Sequence, residues 1–191
     1  PLSNLDAKLR ESMRFEIKEM QQKFGITVVY VTHDQTEAMA MSDRIIVFNA
    51  GVVQQIDSPV NIYNNPVNQF VADFIGKINF LKGVVEDGRI KFSGGQSIKY
   101  SGDKHGNVVV CVRPENIKIK TDEGILHGQL SNSYYLGDVN DCRVNVDGTE
   151  LRIIEAGNTY GKIKTGEKVF LDFDNYLVFE DDGKDLTKIL S

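Results

Sequence analysis

A helical apolar pattern opens the chain. Over residues 5–24, apolar side chains recur at steps of four, four, three and four, which places them on one face of an α-helix: Leu9, Met13, Ile17, Met20 and Phe24. Residues 26–31 then form a continuous apolar run rich in β-branched side chains, the pattern of a strand covered on both faces. A helix over residues 36–41 and a hairpin over residues 44–56 are predicted next.

The apolar pattern changes near residue 77. Before that point two short helices are predicted, one capped by Ser58 and one that begins at Asn65 and is closed by Gly76. After it come short alternating runs, each bounded by Gly, Asp or Asn, a spacing typical of a small all-β barrel or sandwich. We therefore predict a domain boundary close to residue 77.

Composition narrows the class of protein. Hydrophobic residues make up 41% of the 191 residues and charged residues 26%, which is ordinary for a packed globular chain. The net charge of −5 and the lack of a basic stripe argue against a nucleic-acid binder. No apolar run approaches the roughly 18 residues that span a bilayer, so a membrane link would need a partner protein. Cys111 and Cys142 are expected to be reduced and buried, which favours the cytosol.

The most informative string surrounds a histidine. The apolar run ends in Thr32, His33, Asp34 and Gln35, and a helical pattern starts at once. This places an imidazole at the carboxyl end of a buried strand, where open α/β sheets bind their ligands. A lone histidine is usually a structural residue, and here its neighbours in the sequence change that interpretation.

These residues, with those that open the chain, resemble the His switch and the D-loop of ATP-binding-cassette (ABC) ATPases. The resemblance implies that His33 is the catalytic residue that reaches the γ-phosphate of ATP, with Thr32, Asp34 and Gln35 as its neighbours in the motif. It also implies a D-loop, which crosses the dimer interface and couples the two nucleotide sites, at four residues: Ser3, Asn4, Leu5 and Asp6. On the residues alone, this second string is only a helix cap.

Two further strings look like nucleotide-binding motifs and are interpreted as loops. Residues 93–96 spell most of the LSGGQ signature, but they lie downstream of the D-loop-like string and run into a β pattern. Residues 157–162 resemble a P-loop, yet one residue is missing between the glycines, and Ile163 stands where a Mg²⁺-binding Ser or Thr is needed.

The β-rich part adds a second resemblance. Arg113 and Glu115 belong to a VRPE string that recurs in the C-terminal extension of sugar, polyamine and iron importer ATPases. The implied fold is an α/β remnant of the ABC nucleotide-binding domain over residues 1–76. An all-β OB-like (TOBE) barrel follows over residues 77–191 as a regulatory domain. Arg113 and Glu115 are expected to serve structure or subunit contact rather than catalysis.

By this resemblance the chain is the C-terminal part of the ATP-hydrolysing subunit of a bacterial importer of iron(III), polyamine, phosphonate or sugar. The complete subunit would use ATP and Mg²⁺, and this part alone, without P-loop, signature or Walker B residues, is expected to bind neither and to be inactive. Expected partners are a second copy of the chain, transmembrane permease subunits and an extracytoplasmic solute-binding protein. The expected location is the cytoplasmic face of the cell membrane.

Other functions stay open at this point. The β domain could be a sensor of a small oxyanion or metal ion, which is the main alternative. A nucleic-acid-binding OB protein is disfavoured by the charge balance, and a stand-alone enzyme by the lack of a nucleophile–base or carboxylate pair. We predict no metal site, because the three histidines lack ligand spacing among themselves and to the cysteines.

Overall fold

The computed structural model describes residues 6–183, and the chain divides into two compact units, Pro1–Gly76 and Lys77–Ser191. The first unit holds four helices and one hairpin among its described residues: α1 (Ala7–Phe24), α2 (Gln35–Met41), β1 (Ile45–Asn49), β2 (Val52–Asp57), α3 (Pro59–Asn64) and α4 (Gln69–Phe74). The second unit is built from strands: β3 (Asn79–Glu86), β4 (Arg89–Phe92), β5 (Ser97–Lys99), β6 (Gly106–Val112), β7 (Lys118–Lys120), β8 (Leu126–Tyr135), β9 (Val139–Val146), β10 (Thr149–Ala156), β11 (Lys168–Asp172) and β12 (Leu177–Glu180).

Helix α1 confirms the predicted helix, and its ends follow from local chemistry. The Asp6 carboxylate accepts a hydrogen bond from the Leu9 amide at 2.9 Å, which satisfies one of the free N–H groups of the first turn. At the other end Gly25 takes a left-handed conformation (φ +61°), which residues with a side chain rarely adopt, and closes the helix.

The predicted strand over residues 26–31 is wrong. The structure assigns no strand to this segment, and Val29 and Val31 are 87% and 86% exposed. A strand of the parallel type needs a neighbour on its hydrogen-bonding edge and cover on its faces. None of the described strands pairs with this segment. Its β-branched residues favour a strand, but a strand forms only when a neighbouring strand supplies hydrogen bonds.

The hairpin prediction is confirmed. Strands β1 and β2 pair antiparallel, and the two residues between them, Ala50 and Gly51, both have positive φ, as tight hairpin turns require. One face of the hairpin contributes to a small core of buried side chains from β1, α3, α4 and the residue after α4: Ile45, Val47, Ile62, Val71 and Ile75. The last helix of the unit begins at Gln69 with Asn68 as its cap, a few residues later than the predicted start at Asn65.

The second unit confirms the all-β prediction. Its described strands form two five-stranded antiparallel sheets, in the orders β10-β9-β8-β11-β7 and β12-β6-β3-β4-β5. Both sheets send alternate side chains into one core: Leu81, Ile90, Val108, Val110, Val144, Leu151, Ile153, Val169 and Leu171. Cys111 and Cys142 carry buried thiols, as predicted.

A buried asparagine joins the two sheets. The Asn79 side chain on β3 accepts from the Arg152 amide and donates to the Arg152 carbonyl on β10, both at 2.7 Å. In the same region the buried Asp141 carboxylate accepts hydrogen bonds from the Arg143 and Arg152 guanidinium groups. Buried polar groups are tolerated only when they are paired in this way, so these contacts fix how β3, β9 and β10 pack.

The two strings that resemble nucleotide-binding motifs lie in loops, as predicted. Residues 93–96 form the turn between β4 and β5, closed by a 2.9 Å hydrogen bond from the Phe92 amide to the Gln96 carbonyl. Residues 157–159 form a 3₁₀ turn between β10 and β11. Neither string opens an α-helix, which a phosphate-binding loop of these types would need.

Candidate functional site

His33 is exposed and lies on a bend between residues 26–32 and helix α2. The bend is built by its two neighbours. The Thr32 hydroxyl oxygen accepts from the Asp34 amide at 3.0 Å, a local turn typical of Thr. The Asp34 carboxylate accepts from the Glu37 amide at 3.1 Å and so caps α2. Backbone and helix cap therefore hold His33 at a fixed place while its imidazole stays open to a ligand.

Glu37 holds the same bend through hydrogen bonds to the residues before His33. It is only 4% exposed, and one of its carboxylate oxygens accepts from the Thr32 hydroxyl at 2.7 Å and from the Tyr30 hydroxyl at 3.0 Å. Burial, and then the hydrogen bond to Glu37, raises the pKa of Tyr30 above its usual value, so this phenol stays a donor. The segment before His33 and the helix after it are thus joined through one carboxylate.

Gln35 fixes the bend on its other side. Its side-chain oxygen accepts from the Gly76 amide at 2.8 Å, and its side-chain nitrogen donates to the Phe74 carbonyl. Phe74 is the last residue of helix α4 and Gly76 lies two residues beyond it, so the first turn of α2 is held by the end of the unit. The structure therefore brings Thr32, Asp34 and Gln35 into one framework around His33.

Sequence reasoning left Glu37 out of the predicted site. A signal was present, because an acceptor side chain at a helix cap followed three residues later by Glu marks a helix start. That pattern, however, predicts a bond from Glu37 back to the cap backbone. The carboxylate instead turns to Tyr30 and Thr32, and a local rule cannot foresee this contact.

The other predicted site residues are placed as follows. Ser3, Asn4 and Leu5 lie outside the described residues, and Asp6 is exposed at the start of α1, where it serves as the helix cap. Arg113 is buried, and its guanidinium donates to the Lys77 carbonyl at 3.3 Å, whereas Glu115 is exposed on a short 3₁₀ turn. Arg113 thus supports the start of the second unit.

Elsewhere in the described residues 6–183, a ligand site would need grouped polar side chains or a cavity. No three His, Cys, Asp or Glu side chains there are grouped closely enough to hold a metal ion. Two open cavities of about 920 and 980 Å³ lie in the second unit, the first beside Arg89, Lys99 and Tyr176, the second beside Asn79 and Asp147. Within the same residues, no helix combines the length and the apolar character needed to cross a bilayer.

Comparison with known proteins bears on the whole chain. Residues 110–179 match the TOBE domain. The chain is 42% identical over 193 residues to an Fe(3+) ions import ATP-binding protein, FbpC, of Fusobacterium nucleatum, covering 96% of this chain and 52% of the relative. It is 42% identical over 152 residues to a spermidine/putrescine import ATP-binding protein, PotA, of Clostridioides difficile (78% and 44% covered). It is 43% identical over 152 residues to an sn-glycerol-3-phosphate import ATP-binding protein, UgpC, of Ruegeria pomeroyi (70% and 43% covered).

The chain therefore spans about half the length of the relatives it matches. These findings confirm its resemblance to the C-terminal part of ABC importer ATP-binding proteins that carry a TOBE domain. Among solved structures, the cytoplasmic molybdate-binding protein ModG aligns with 53% of this chain and 95% of its own, with a TM-score of 0.45 and 16% identity.

Proposed function

Because the chain resembles the C-terminal part of importer ATP-binding proteins, we propose that it belongs to the ATP-hydrolysing subunit of an ABC importer. Residues 1–76 are the C-terminal part of the ATPase domain, an α/β remnant, and residues 77–191 are a TOBE-type regulatory domain. The observation that carries the proposal is the exposed His33 on an anchored bend. It stands where the resemblance requires a side chain that meets the terminal phosphate of ATP.

The geometry around His33 suits that role. Phosphoryl transfer is catalysed mainly by positioning and by stabilising charge on the phosphate oxygens, so a donor must be accessible and fixed. The imidazole of His33 is accessible, and the bonds made by Thr32, Asp34 and Glu37 fix the backbone that carries it. A hydrogen bond between an imidazole N–H and an anionic phosphate oxygen is of the stronger, charge-assisted kind.

ATP is the substrate of the complete subunit in this proposal, and Mg²⁺ its companion ion. The described residues offer no grouped metal ligands, so we assign neither the Mg²⁺ ligands nor the phosphate-binding loop to this chain. His33 contributes one contact to a site completed by other parts of the subunit and, through the D-loop at Ser3, Asn4, Leu5 and Asp6, by a second copy.

The proposed partners are a second copy of the chain, the permease subunits and an extracytoplasmic solute-binding protein, at the cytoplasmic face of the membrane. The imported solute is of the iron(III), polyamine, phosphonate or sugar class. The relatives' names range over iron, spermidine/putrescine and glycerol phosphate, and they do not single out one of these classes for this chain.

ATP turnover tests the proposal. The intact subunit is expected to hydrolyse ATP in the presence of Mg²⁺, and the 191-residue chain by itself is expected to show no turnover above buffer. The measurement is phosphate release by the two proteins at equal concentration. Hydrolysis by the isolated chain that is abolished by His33→Ala would contradict the division of the site, and an intact subunit without ATP turnover would contradict the function.

Dimerisation through the second unit gives a further prediction. Three neighbouring apolar side chains at the end of β8 are half exposed or more: Tyr134 at 50%, Tyr135 at 58% and Leu136 at 60%. A few residues near the centre of an interface, often Tyr, carry most of its binding energy, and a charge buried among them without a partner opposes association. We expect Leu136→Asp to weaken the homodimer at least about tenfold, measured by sedimentation equilibrium.

The matched control for Leu136→Asp is Asn175→Asp. It adds the same charge at an exposed position in the turn between β11 and β12 and is expected to leave the association constant unchanged. A chain that stays monomeric at high concentration, or equal weakening by both variants, would speak against this surface.

A further inference from the structure

Gln35 uses both polar atoms of its side chain on the same short stretch of backbone. The oxygen accepts from the Gly76 amide at 2.8 Å, and the nitrogen donates to the Phe74 carbonyl. The two backbone groups lie 39 and 41 residues along the chain from Gln35. A side chain that satisfies two distant backbone groups links two places in the fold, and local secondary structure does not require such a link.

The two linked places matter for different reasons. One end is the bend of His33, two residues before Gln35, whose exposed imidazole is the proposed phosphate contact. The other end is the point where the chain leaves the first unit, since Gly76 is its last residue and Lys77 begins the second. Gly76 also has a φ of +83°, a conformation that residues with a Cβ rarely adopt.

Packing beside Gln35 makes the link stiff. Ala38 and Met39 of helix α2 pack against the small core of the unit, and so do Phe70 and Phe74 of α4. The Phe70 and Phe74 rings stack with centroids 5.5 Å apart. Because α2 and α4 pack into one core, the start of α2 and the end of α4 are held both by apolar contact and by the Gln35 amide.

We propose that Gln35 is a positioning residue that ties the bend of His33 to the exit of the chain from the first unit. If the bend of His33 or the backbone at Gly76 becomes less ordered, the other becomes less ordered too. The use of this link in hydrolysis rests on the proposed function, but the link itself does not. A change at the exit would act on ATP turnover through the placement of His33, without any contact between Gln35 and the nucleotide.

Solution NMR of the isotope-labelled 191-residue chain tests the link. Gln35→Met keeps the length of the side chain and removes both hydrogen-bonding groups. We expect amide hydrogen exchange at Gly76 to rise about tenfold, the scale of one lost hydrogen bond. The ring signals of His33 are expected to shift in the same variant. The exchange rate at the buried Ile62 of α3 reports whether the unit is still folded.

A second variant separates the two bonds. Gln35→Glu keeps the acceptor for the Gly76 amide and loses the donor to the Phe74 carbonyl, so Gly76 is expected to stay protected while the His33 signals still shift. If fast exchange at Ile62 shows that Gln35→Met unfolds the unit, the link is tested with Gln35→Glu alone. The control is Thr36→Ala, which removes an exposed side chain from the same turn and is expected to change neither Gly76 nor His33.

Unchanged His33 signals in both Gln35 variants would overturn the proposal, even if Gly76 exchanges faster, because Gln35 would then be only a local cap. In the intact subunit, Gln35→Met is expected to lower kcat with little change in KM for ATP, as for a residue that acts through another. The NMR result needs no ATP, so failure of the link and failure of the ATPase function can be told apart.

Discussion

Asp141→Ala is expected to lower the free energy of unfolding of the β-rich unit by about 3 kcal/mol, the cost of breaking a buried ion pair from one side. Asp141 is 7% exposed and accepts hydrogen bonds from both Arg143 and Arg152. Its removal leaves two guanidinium groups without their shared carboxylate. The Arg143 and Arg152 side chains are 25% and 33% exposed. Water can therefore partly solvate them, and we expect a loss of stability at the lower end of the range for broken buried ion pairs.

Urea unfolding followed by tyrosine fluorescence measures this effect, since the chain has no tryptophan. The matched control is Asp172→Ala, which breaks an exposed pair with Lys120 at 2.7 Å, where the side chains are 36% and 42% exposed. A pair of that kind contributes about 0–1 kcal/mol. Equal losses for the two variants would show that the buried carboxylate does not hold β9 and β10 together.

Acid should remove the contribution of Asp141. Burial opposes its ionisation, but the hydrogen bonds from Arg152 and Arg143 outweigh burial and hold the pKa of Asp141 below its ordinary value. A carboxylate with a lower pKa in the folded state stabilises the fold above the unfolded pKa of about 3.9 and loses that effect as the pH falls through the folded value. The stability gap between wild type and Asp141→Asn is therefore expected to be constant near neutrality and to narrow below about pH 4.

Much of the fold could be predicted because its signals are local. The spacing of Leu9, Met13 and Ile17 needs only the period of a helix, and the turn at Ala50 and Gly51 needs only a tight connection between two apolar runs. The segment over residues 26–31 shows the limit of such signals. Its residues favour a strand, but a strand also needs a neighbouring strand to pair with. The described part of the chain contains no strand paired with this segment.

The candidate site divides in the same way. The string of neighbouring residues singled out His33, but the buried strand expected before it is not formed, and the helix cap at Asp34 was not predicted. The contacts that anchor the bend were not foreseeable. Gln35 binds backbone groups 39 and 41 residues away, and Glu37 binds Tyr30 and Thr32 instead of the cap backbone that the local pattern predicts. The buried Asp141 was missed for the same reason, since alternation along β9 does not reveal that two arginines meet one carboxylate.

His33→Ala in the intact subunit is expected to lower kcat for ATP about 10²- to 10³-fold, the usual loss when one fixed donor to a charged transition state is removed. The bend itself should survive, because the bonds that build it come from Thr32, Asp34 and Glu37. KM for ATP should change little, since most of the binding energy is proposed to come from other parts of the subunit. His33→Gln keeps a side-chain N–H donor, and its kcat is expected to lie between those of wild type and His33→Ala.

The most direct test compares ATP turnover by the intact subunit carrying His33→Ala with that of His105→Ala, an exposed histidine of the second unit. We predict a loss of at least about a hundredfold in kcat for the first variant and wild-type turnover for the second. Wild-type turnover by a folded His33→Ala subunit would contradict the assignment of His33 to the γ-phosphate of ATP.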